Sequence, residues 1–177
     1  PLSTARITAL GALLNPSKAV YEVLGKSLGN DDYRDVSATV ALLRLGDPQA
    51  AAILLAAGKA EQAKTGGFEH LLAAQHARNK PAIFGLLVDG YRLYGSTKYA
   101  HVFLAAIVSP GNIVNSFPAN MTRIPSYETI ATAADQKAIA DLVSSLLDNS
   151  GPRRLSEEEK AALEKTRSEI LALKFPK

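Results

Sequence analysis

Residues 68–90 of the chain read FEHLLAAQHARNKPAIFGLLVDG, two helix-like runs on either side of a proline. Alanine and leucine, the strongest helix formers, recur in both runs. Asn79 and Lys80 separate the first run from Pro81, and proline suits the first turn of a helix because its missing N–H would be unpaired there. Gly90 closes the stretch, as is common where a chain leaves a helix. The stretch therefore predicts two helices joined by a short turn.

The same arrangement recurs towards the N-terminus. Pro16, Pro48 and Pro81 lie 32 and 33 residues apart, and a glycine follows each of them after 9 or 10 residues. Helix-like runs over 5–14 and 36–45 precede the first two prolines. A period of about 33 residues with two helices per unit is typical of a helical repeat. We predict a helix that begins at each proline, with ends at Gly25 or Gly29, at Gly58, and at Gly90 or Gly95.

The third unit resembles an ankyrin repeat, which has about 33 residues and places a short helix before a longer one that ends in a leucine pair and a glycine. The unit from Ala38 to Gly58 is similar, although less closely. The Thr-Pro-Leu-His sequence of the family is absent, and residues 67–70, GFEH, stand near its place. For residues 5–95 the resemblance implies stacked helix pairs with a partner-binding surface, and it carries no catalytic residue.

Beyond the third unit the period is lost. Residues 96–108 predict another helix, capped by Ser96 or Thr97. Residues 109–125, SPGNIVNSFPANMTRIP, predict a long loop. Loops of this length are uncommon in compact domains and are often functional.

Three further helical elements are predicted in the C-terminal part of the chain. A short turn begins at Ser126, and a helix covers 132–148. The last helix begins at Ser156, where Glu159 three positions later completes a capping box.

Composition supports an all-α fold. The 177 residues include 29 alanines and 24 leucines but only 6% aromatic residues, and no run alternates with the period of a strand. This length predicts one domain over 1–177. We expect tandem helix pairs over 5–95, arranged like an α-solenoid, and a C-terminal helical lobe over 96–177. The predicted core residues lie on the apolar faces of the strongest helices: Leu42, Leu43, Ile53, Leu54, Leu55, Leu71, Leu72, Ile83, Leu86, Leu87, Phe103 and Leu104.

Cysteine is absent, which excludes disulfides, thiolate zinc sites and a cysteine nucleophile. His70, His76 and His101 lack metal-binding spacing, so each is interpreted as a structural or surface residue, with His101 at a buried edge. The acidic residues within 31–35 are interpreted as helix caps. No phosphate-binding glycine loop or nucleophile elbow occurs. We therefore predict no catalytic residue, no metal and no cofactor.

Charge and hydropathy give little indication of nucleic acid or membrane. The formal net charge is +3 at pH 7, and Arg153-Arg154 is the only adjacent basic pair. No run of about 18 uncharged apolar residues occurs, so no membrane span is predicted. The chain begins at Pro1 without an initiator methionine or a signal sequence, and we interpret it as a soluble piece of a larger or processed protein.

One cluster of residues indicates a partner-binding face. Half of the six tyrosines fall between residues 91 and 99, interleaved with cations. Tyrosine and arginine often anchor protein interfaces, although packing between successive helices is the alternative interpretation. The candidate anchors, taken with the adjacent loop, are Tyr91, Arg92, Tyr94, Lys98, Tyr99, Phe117 and Arg123.

These features predict a protein–protein interaction module, within a larger bacterial protein that is secreted into a host cell as an effector. The alternative is a cysteine-free ubiquitin-ligase-like domain, which would dock a ubiquitin-carrier enzyme without forming a covalent intermediate. A second alternative is a weak nucleic-acid-binding helical domain, for which binding would depend steeply on salt. The expected partner is another protein, either a host protein or the carrier enzyme.

Overall fold

The computed structural model describes residues 16–29, 33–110 and 124–175, and these residues form eight α-helices, two short 3₁₀-helices and no β-strand. The predicted all-α fold is confirmed. The α-helices are α1 Lys18–Ser27, α2 Tyr33–Leu45, α3 Pro48–Thr65, α4 Glu69–Leu72, α5 Pro81–Leu93, α6 Ala100–Val108, α7 Ala133–Asp148 and α8 Glu157–Leu171. The 3₁₀-helices span Ala73–Ala77, directly after α4, and Tyr127–Thr129, before α7.

Two of the three helix starts predicted at prolines are confirmed. Pro48 and Pro81 are the first residues of α3 and α5. Asp47 is the N-cap of α3, and its carboxylate accepts a hydrogen bond from the backbone N–H three residues later (2.8 Å). The start predicted at Pro16 is wrong, because Ser17 has the extended conformation of an N-cap and α1 begins after it.

Two glycines that were predicted to end helices lie inside them. α3 continues through Gly58 as far as Gly66, which has a φ of 71°, and α5 continues through Gly90. A Cβ at Gly58 would lie 2.4 Å from the side chain of Leu71, and one at Gly90 would lie 2.3 Å from the ring of Phe103. The predicted end at Gly58 is therefore wrong, and of the two ends predicted for α5 Gly90 is wrong, whereas Gly95 directly follows the C-cap residue Tyr94. Gly58 and Gly90 instead allow neighbouring side chains to approach the helix backbone closely.

The cap predicted for the helix after residue 95 is also wrong. α6 begins at Ala100, not after Ser96 or Thr97. The hydroxyl of Thr97 donates to the carbonyl of Tyr94 (2.8 Å) and accepts from the N–H of Tyr99 (3.2 Å). Thr97 therefore stabilises the turn that precedes α6.

The helix starts predicted in the C-terminal part are confirmed. Ser126 caps the second 3₁₀-helix, and Thr132 caps α7. At α8 both bonds of the capping box between Ser156 and Glu159 are present. In all three cases a hydroxyl supplies an acceptor for an N–H that the helix itself cannot pair.

α5 lies at the centre of the hydrophobic core, where it packs against α3, α4, α6 and α7. One cluster of buried hydrophobic side chains extends from Tyr21 in α1 to Ile170 in α8, so the C-terminal helices share this core. Three predicted core residues, Ile53, Leu55 and Leu72, are only half-buried. The others are buried as predicted: Leu42, Leu43, Leu54, Leu71, Ile83, Leu86, Leu87, Phe103 and Leu104.

A buried arginine connects the end of α6 to the start of the C-terminal part. Arg78 is 0% exposed. Its guanidinium donates to the carbonyls of Ala106 (2.6 Å), Ser109 (2.6 Å) and Pro125 (2.9 Å), and it lies 4.3 Å from the ring centroid of Tyr127. One planar group therefore fixes the two described ends of the segment predicted as a long loop. Residues 111–123 of that segment, with the candidate anchors Phe117 and Arg123, lie outside the described residues.

Candidate functional site

An open groove lies between α1 and α3 and reaches the start of α4. We call it the α1/α3 groove, and its volume is about 770 Å³. The apolar side chains that line it are Leu28, Ile53, Ala56, Ala57 and Ala60. The ionisable side chains that line it are Asp35, Glu61, Lys64, Glu69 and His70.

Small residues on α3 leave the groove open. α1 approaches α3 closely where Gly25 meets Ile53, since a Cβ at this glycine would lie 3.5 Å from the isoleucine side chain. Further along α3, Ala56 and Ala60 carry only a methyl group and are exposed to solvent. The opposite face of α3, which includes Leu54, is buried in the core. α3 is thus apolar on two faces, and on the second of them the described residues leave the part at Ala56 and Ala60 uncovered.

His70 forms the centre of an ion-pair cluster at the α4 end of the groove. Its Nε2 lies 2.9 Å from Asp35 Oδ1 in α2, and its Nδ1 lies 2.8 Å from Glu61 Oε2 in α3. Burial disfavours the charged imidazolium, but the hydrogen bonds to Asp35 and Glu61 outweigh burial and raise the pKa of His70 to about 10. His70 is therefore a cation at neutral pH, and it links α4 to both α2 and α3.

Glu61 also caps α4. Its carboxylate accepts hydrogen bonds from the N–H groups of Glu69 (3.2 Å) and His70 (3.1 Å), whereas Phe68, the N-cap residue, provides no side-chain bond. Burial opposes ionisation of Glu61, but hydrogen bonds with His70 and Glu69 lower its pKa to about 2. The hydrogen bond with Glu61, together with burial, raises the pKa of Glu69 above its usual value of 4.5. The two glutamates thus differ strongly in how readily they ionise.

The hydrogen bonds of the cluster determine what it can do chemically. Both ring nitrogens of His70 bond to carboxylates, so its imidazolium has no lone pair with which to accept a proton or bind a metal. Across residues 16–29, 33–110 and 124–175, no group of three or more His, Asp or Glu side chains is arranged to hold a metal ion. What the groove offers a ligand is apolar contact along α3 and a charged end.

The structure does not bring the five described candidate anchors together on one surface. Tyr91 is 0% exposed and Tyr94 is 2% exposed, so the part of the prediction that needs them at the surface is wrong. Tyr94 stacks on Phe103 with 5.6 Å between ring centroids, and its hydroxyl donates to the carbonyl of Gly67. Both tyrosines bury a large ring between helices, which is the alternative that the sequence left open.

The other described candidates lie at or near the surface. Arg92 is half-buried and donates to the carbonyl of Ser145 in the last turn of α7 (2.9 Å). Lys98 is exposed, and its ammonium lies 5.2 Å from the ring centroid of half-buried Tyr99. Partner binding through Lys98 and Tyr99 stays a prediction.

Sequence reasoning missed the α1/α3 groove. Asp35 was interpreted as a helix cap, but its carboxylate accepts from the N–H of Gly29 (3.2 Å) and pairs with His70. His101, predicted at a buried edge, is exposed. The signal that could have indicated the groove is the second apolar face of α3, which a search for catalytic motifs passes over.

These observations define an all-helical chain with an open apolar groove beside a buried ion-pair cluster. The chain matches no family model, no curated protein and no solved structure with which it was compared. Among the helices that the structure describes, none combines the length and the apolar character that crossing a membrane requires.

Proposed function

We propose that this chain is a protein-interaction module and that the α1/α3 groove receives a segment of its partner. The observation that carries the proposal is the uncovered apolar face of α3, where Ala56 and Ala60 are exposed and Ile53 is half-buried. Removal of apolar surface from water contributes roughly 25 cal/mol per Å². A partner side chain that contacts this face therefore gains affinity without displacing any part of the core.

A protein segment fits the groove better than a small molecule does. Pockets for small molecules are concave and bury most of the surface of their ligand. Here several lining residues, among them Ala60 and Thr65, are exposed, and the apolar positions follow the axis of α3. An amphipathic helix that places its apolar face along such a groove is a recurring mode of peptide recognition. A host protein, or a ubiquitin-carrier enzyme, remains the partner that the sequence predicts.

Peptide selection tests the proposal with a matched pair of variants. Peptides of about 16 residues, long enough for roughly four helical turns, are selected from a random library on the unmodified chain. Their affinities are then measured by fluorescence polarisation on two variants of α3. Ala60→Trp fills the groove, and Ala63→Trp places the same side chain on an exposed position of α3 that does not line it.

We expect most independent peptides to bind Ala60→Trp about 10-fold more weakly or worse, because the indole occupies their site, and to bind Ala63→Trp as they bind the unmodified chain. Circular dichroism establishes that both variants keep the helical fold. Peptides that bind all three proteins equally would overturn the proposal. Loss of binding in a Lys98→Glu/Tyr99→Ala variant, with Ala60→Trp unaffected, would instead favour the surface predicted from the sequence.

A further inference from the structure

The α4 end of the groove contains two carboxylates that meet over a glycine. A Cβ built on Gly67 would lie 2.6 Å from Glu61 Oε1 and 2.7 Å from Glu69 Oε2. The absence of a side chain at this position therefore allows the two carboxylates to converge. Glu61 is almost fully engaged by His70 and by the backbone of α4. Glu69 is an exposed residue, and its carboxylate accepts one described hydrogen bond, from the N–H of Phe68 (3.0 Å).

We propose that the partner segment bound in the α1/α3 groove carries a lysine or arginine whose cation lies against Glu69 at the α4 end. This inference rests on the proposed function, and it specifies the chemistry of the partner. The groove is an apolar surface that ends in an acidic group, so its complement is an apolar helix face that ends in a cation.

The charges around Glu69 favour a cation. Three carboxylates line the groove (Asp35 from α2, Glu61 from α3 and Glu69 from α4), together with His70 from α4 and Lys64 from α3. No ionisable residue of α1 is among the lining residues. When all five groups are ionised the groove has a net charge of −1, although the whole chain has a formal charge of +3 even with its histidines counted as neutral. A bound cation would neutralise this excess.

The cations already present do not compensate Glu69. The imidazolium of His70 is committed to Asp35 and Glu61. Within the described ranges, Lys64 forms no ion pair with any carboxylate. The contact between Glu69 and Glu61, with burial, raises the pKa of Glu69, so part of its ionisation is suppressed by its neighbour. A cation beside Glu69 stabilises the ionised form, and binding therefore releases a proton from Glu69 where that group is still protonated.

The test is a double-mutant cycle between peptide and groove. In peptides selected on the unmodified chain, the basic residue is replaced by norleucine, and each pair is measured on the unmodified chain and on Glu69→Gln. We expect the replacement to weaken binding about 10-fold on the unmodified chain and about 2-fold or less on Glu69→Gln. Glu164→Gln, an exposed glutamate of α8, is the matched control and should behave as the unmodified chain does.

A pH series gives a second, independent measurement. Affinity for the basic peptide should rise several-fold as the pH increases through the raised pKa of Glu69, and this rise should be absent in Glu69→Gln. Peptides that lose binding in Ala60→Trp but share no basic position, or a cycle without coupling, would overturn this inference and leave the proposed function intact. Peptides that are all indifferent to Ala60→Trp would overturn both. A self-association that Ala60→Trp abolishes would assign the groove to a second copy of the chain and would also overturn both.

Discussion

The substitution Arg78→Met should destabilise the protein by about 3–5 kcal/mol. Arg78 is fully buried, and its described partners are four backbone carbonyls and one aromatic ring. Two of these carbonyls belong to Ala106 and Ile107 in the last turn of α6, where the helix supplies no donor of its own. Arg78 therefore serves as the C-terminal cap of α6 and also anchors the chain at Pro125.

The expected magnitude follows from the hydrogen bonds that the substitution removes. Methionine fills a similar volume, so the main loss is of hydrogen bonds rather than of packing. The carbonyl of Ile107 still accepts from the Tyr127 hydroxyl, whereas those of Ala106, Ser109 and Pro125 each lose the hydrogen bond from Arg78. Loss of a hydrogen bond by a buried polar group costs about 1–3 kcal/mol, which gives about 3–9 kcal/mol for three. Pro125 is only half-buried and water can reach it, so we expect a value in the lower part of that range, about 3–5 kcal/mol.

Urea denaturation followed by circular dichroism at about 222 nm measures this loss as a change in the free energy of unfolding. Arg167→Met, on an exposed position of α8, is the matched control and should change stability by no more than about 0.5 kcal/mol. If Arg78→Met does not fold, Arg78→Lys keeps the charge but loses the planar fork, and it should cost about 1–3 kcal/mol. A loss below about 1 kcal/mol for either substitution of Arg78 would show that the carbonyls do not depend on its guanidinium.

Three further outcomes can be measured in the same way. Gly90→Ala should destabilise the protein by about 1–3 kcal/mol, because its Cβ would overlap the buried ring of Phe103 in α6. Gly85→Ala in the same helix meets nothing within 4 Å and should stabilise the protein by up to about 1 kcal/mol. Equal effects of the two substitutions would contradict the close packing of Phe103 against Gly90. Leu54→Ala should cost about 2–5 kcal/mol, since the side chain is 0% exposed. The raised pKa of His70 stabilises the fold fully below its usual value of 6.5, and this contribution declines as the pH rises towards about 10. The lowered pKa of Glu61 stabilises it above 4.5, and this contribution declines as the pH falls towards about 2. The raised pKa of Glu69 adds a decline in stability above its usual value of 4.5, so the plateau in the free energy of unfolding from about pH 4.5 to 6.5 should be seen in Glu69→Gln. His70→Gln should remove most of the alkaline decline, and an unchanged pH profile in that variant would contradict the ion-pair cluster.

Local signals in the sequence predicted the local features of the fold. A serine followed three positions later by a glutamate predicted the capping box at Ser156, and Pro48 and Pro81 predicted the starts of α3 and α5, because capping and helix initiation depend on residues only a few positions apart. The apolar faces of the helices predicted most of the core, because the helical period also depends only on residues three or four positions apart. Glycine was misleading at Gly58 and Gly90, since its lack of a side chain serves close packing as well as helix termination.

The candidate site could not be predicted in this way, because its contacts join distant parts of the chain. Asp35 and His70 are separated by 35 residues in the sequence. The packing of α2 against the 3₁₀-helix that follows α4 brings the two side chains together. Each residue taken alone has an ordinary interpretation, as a cap or a surface group. Tyr91 and Tyr94 were instead given a functional interpretation that the structure does not support. Tyrosine is a residue type that is common at interfaces, but whether a tyrosine faces solvent or a neighbouring helix depends on tertiary packing.

The ion-pair cluster and the groove depend on each other structurally. Asp35 holds the N–H of Gly29, at the end of α1, and also pairs with His70, while Glu61 fixes His70 to α3. The two walls of the groove are therefore positioned through one imidazolium, and the cluster is bonded before any partner arrives. A groove whose walls are held in this way loses less conformational freedom on binding than one that must be assembled by its ligand. This preorganisation gives the buried charges a role beyond stability, since ion pairs of this kind often contribute little net free energy of folding.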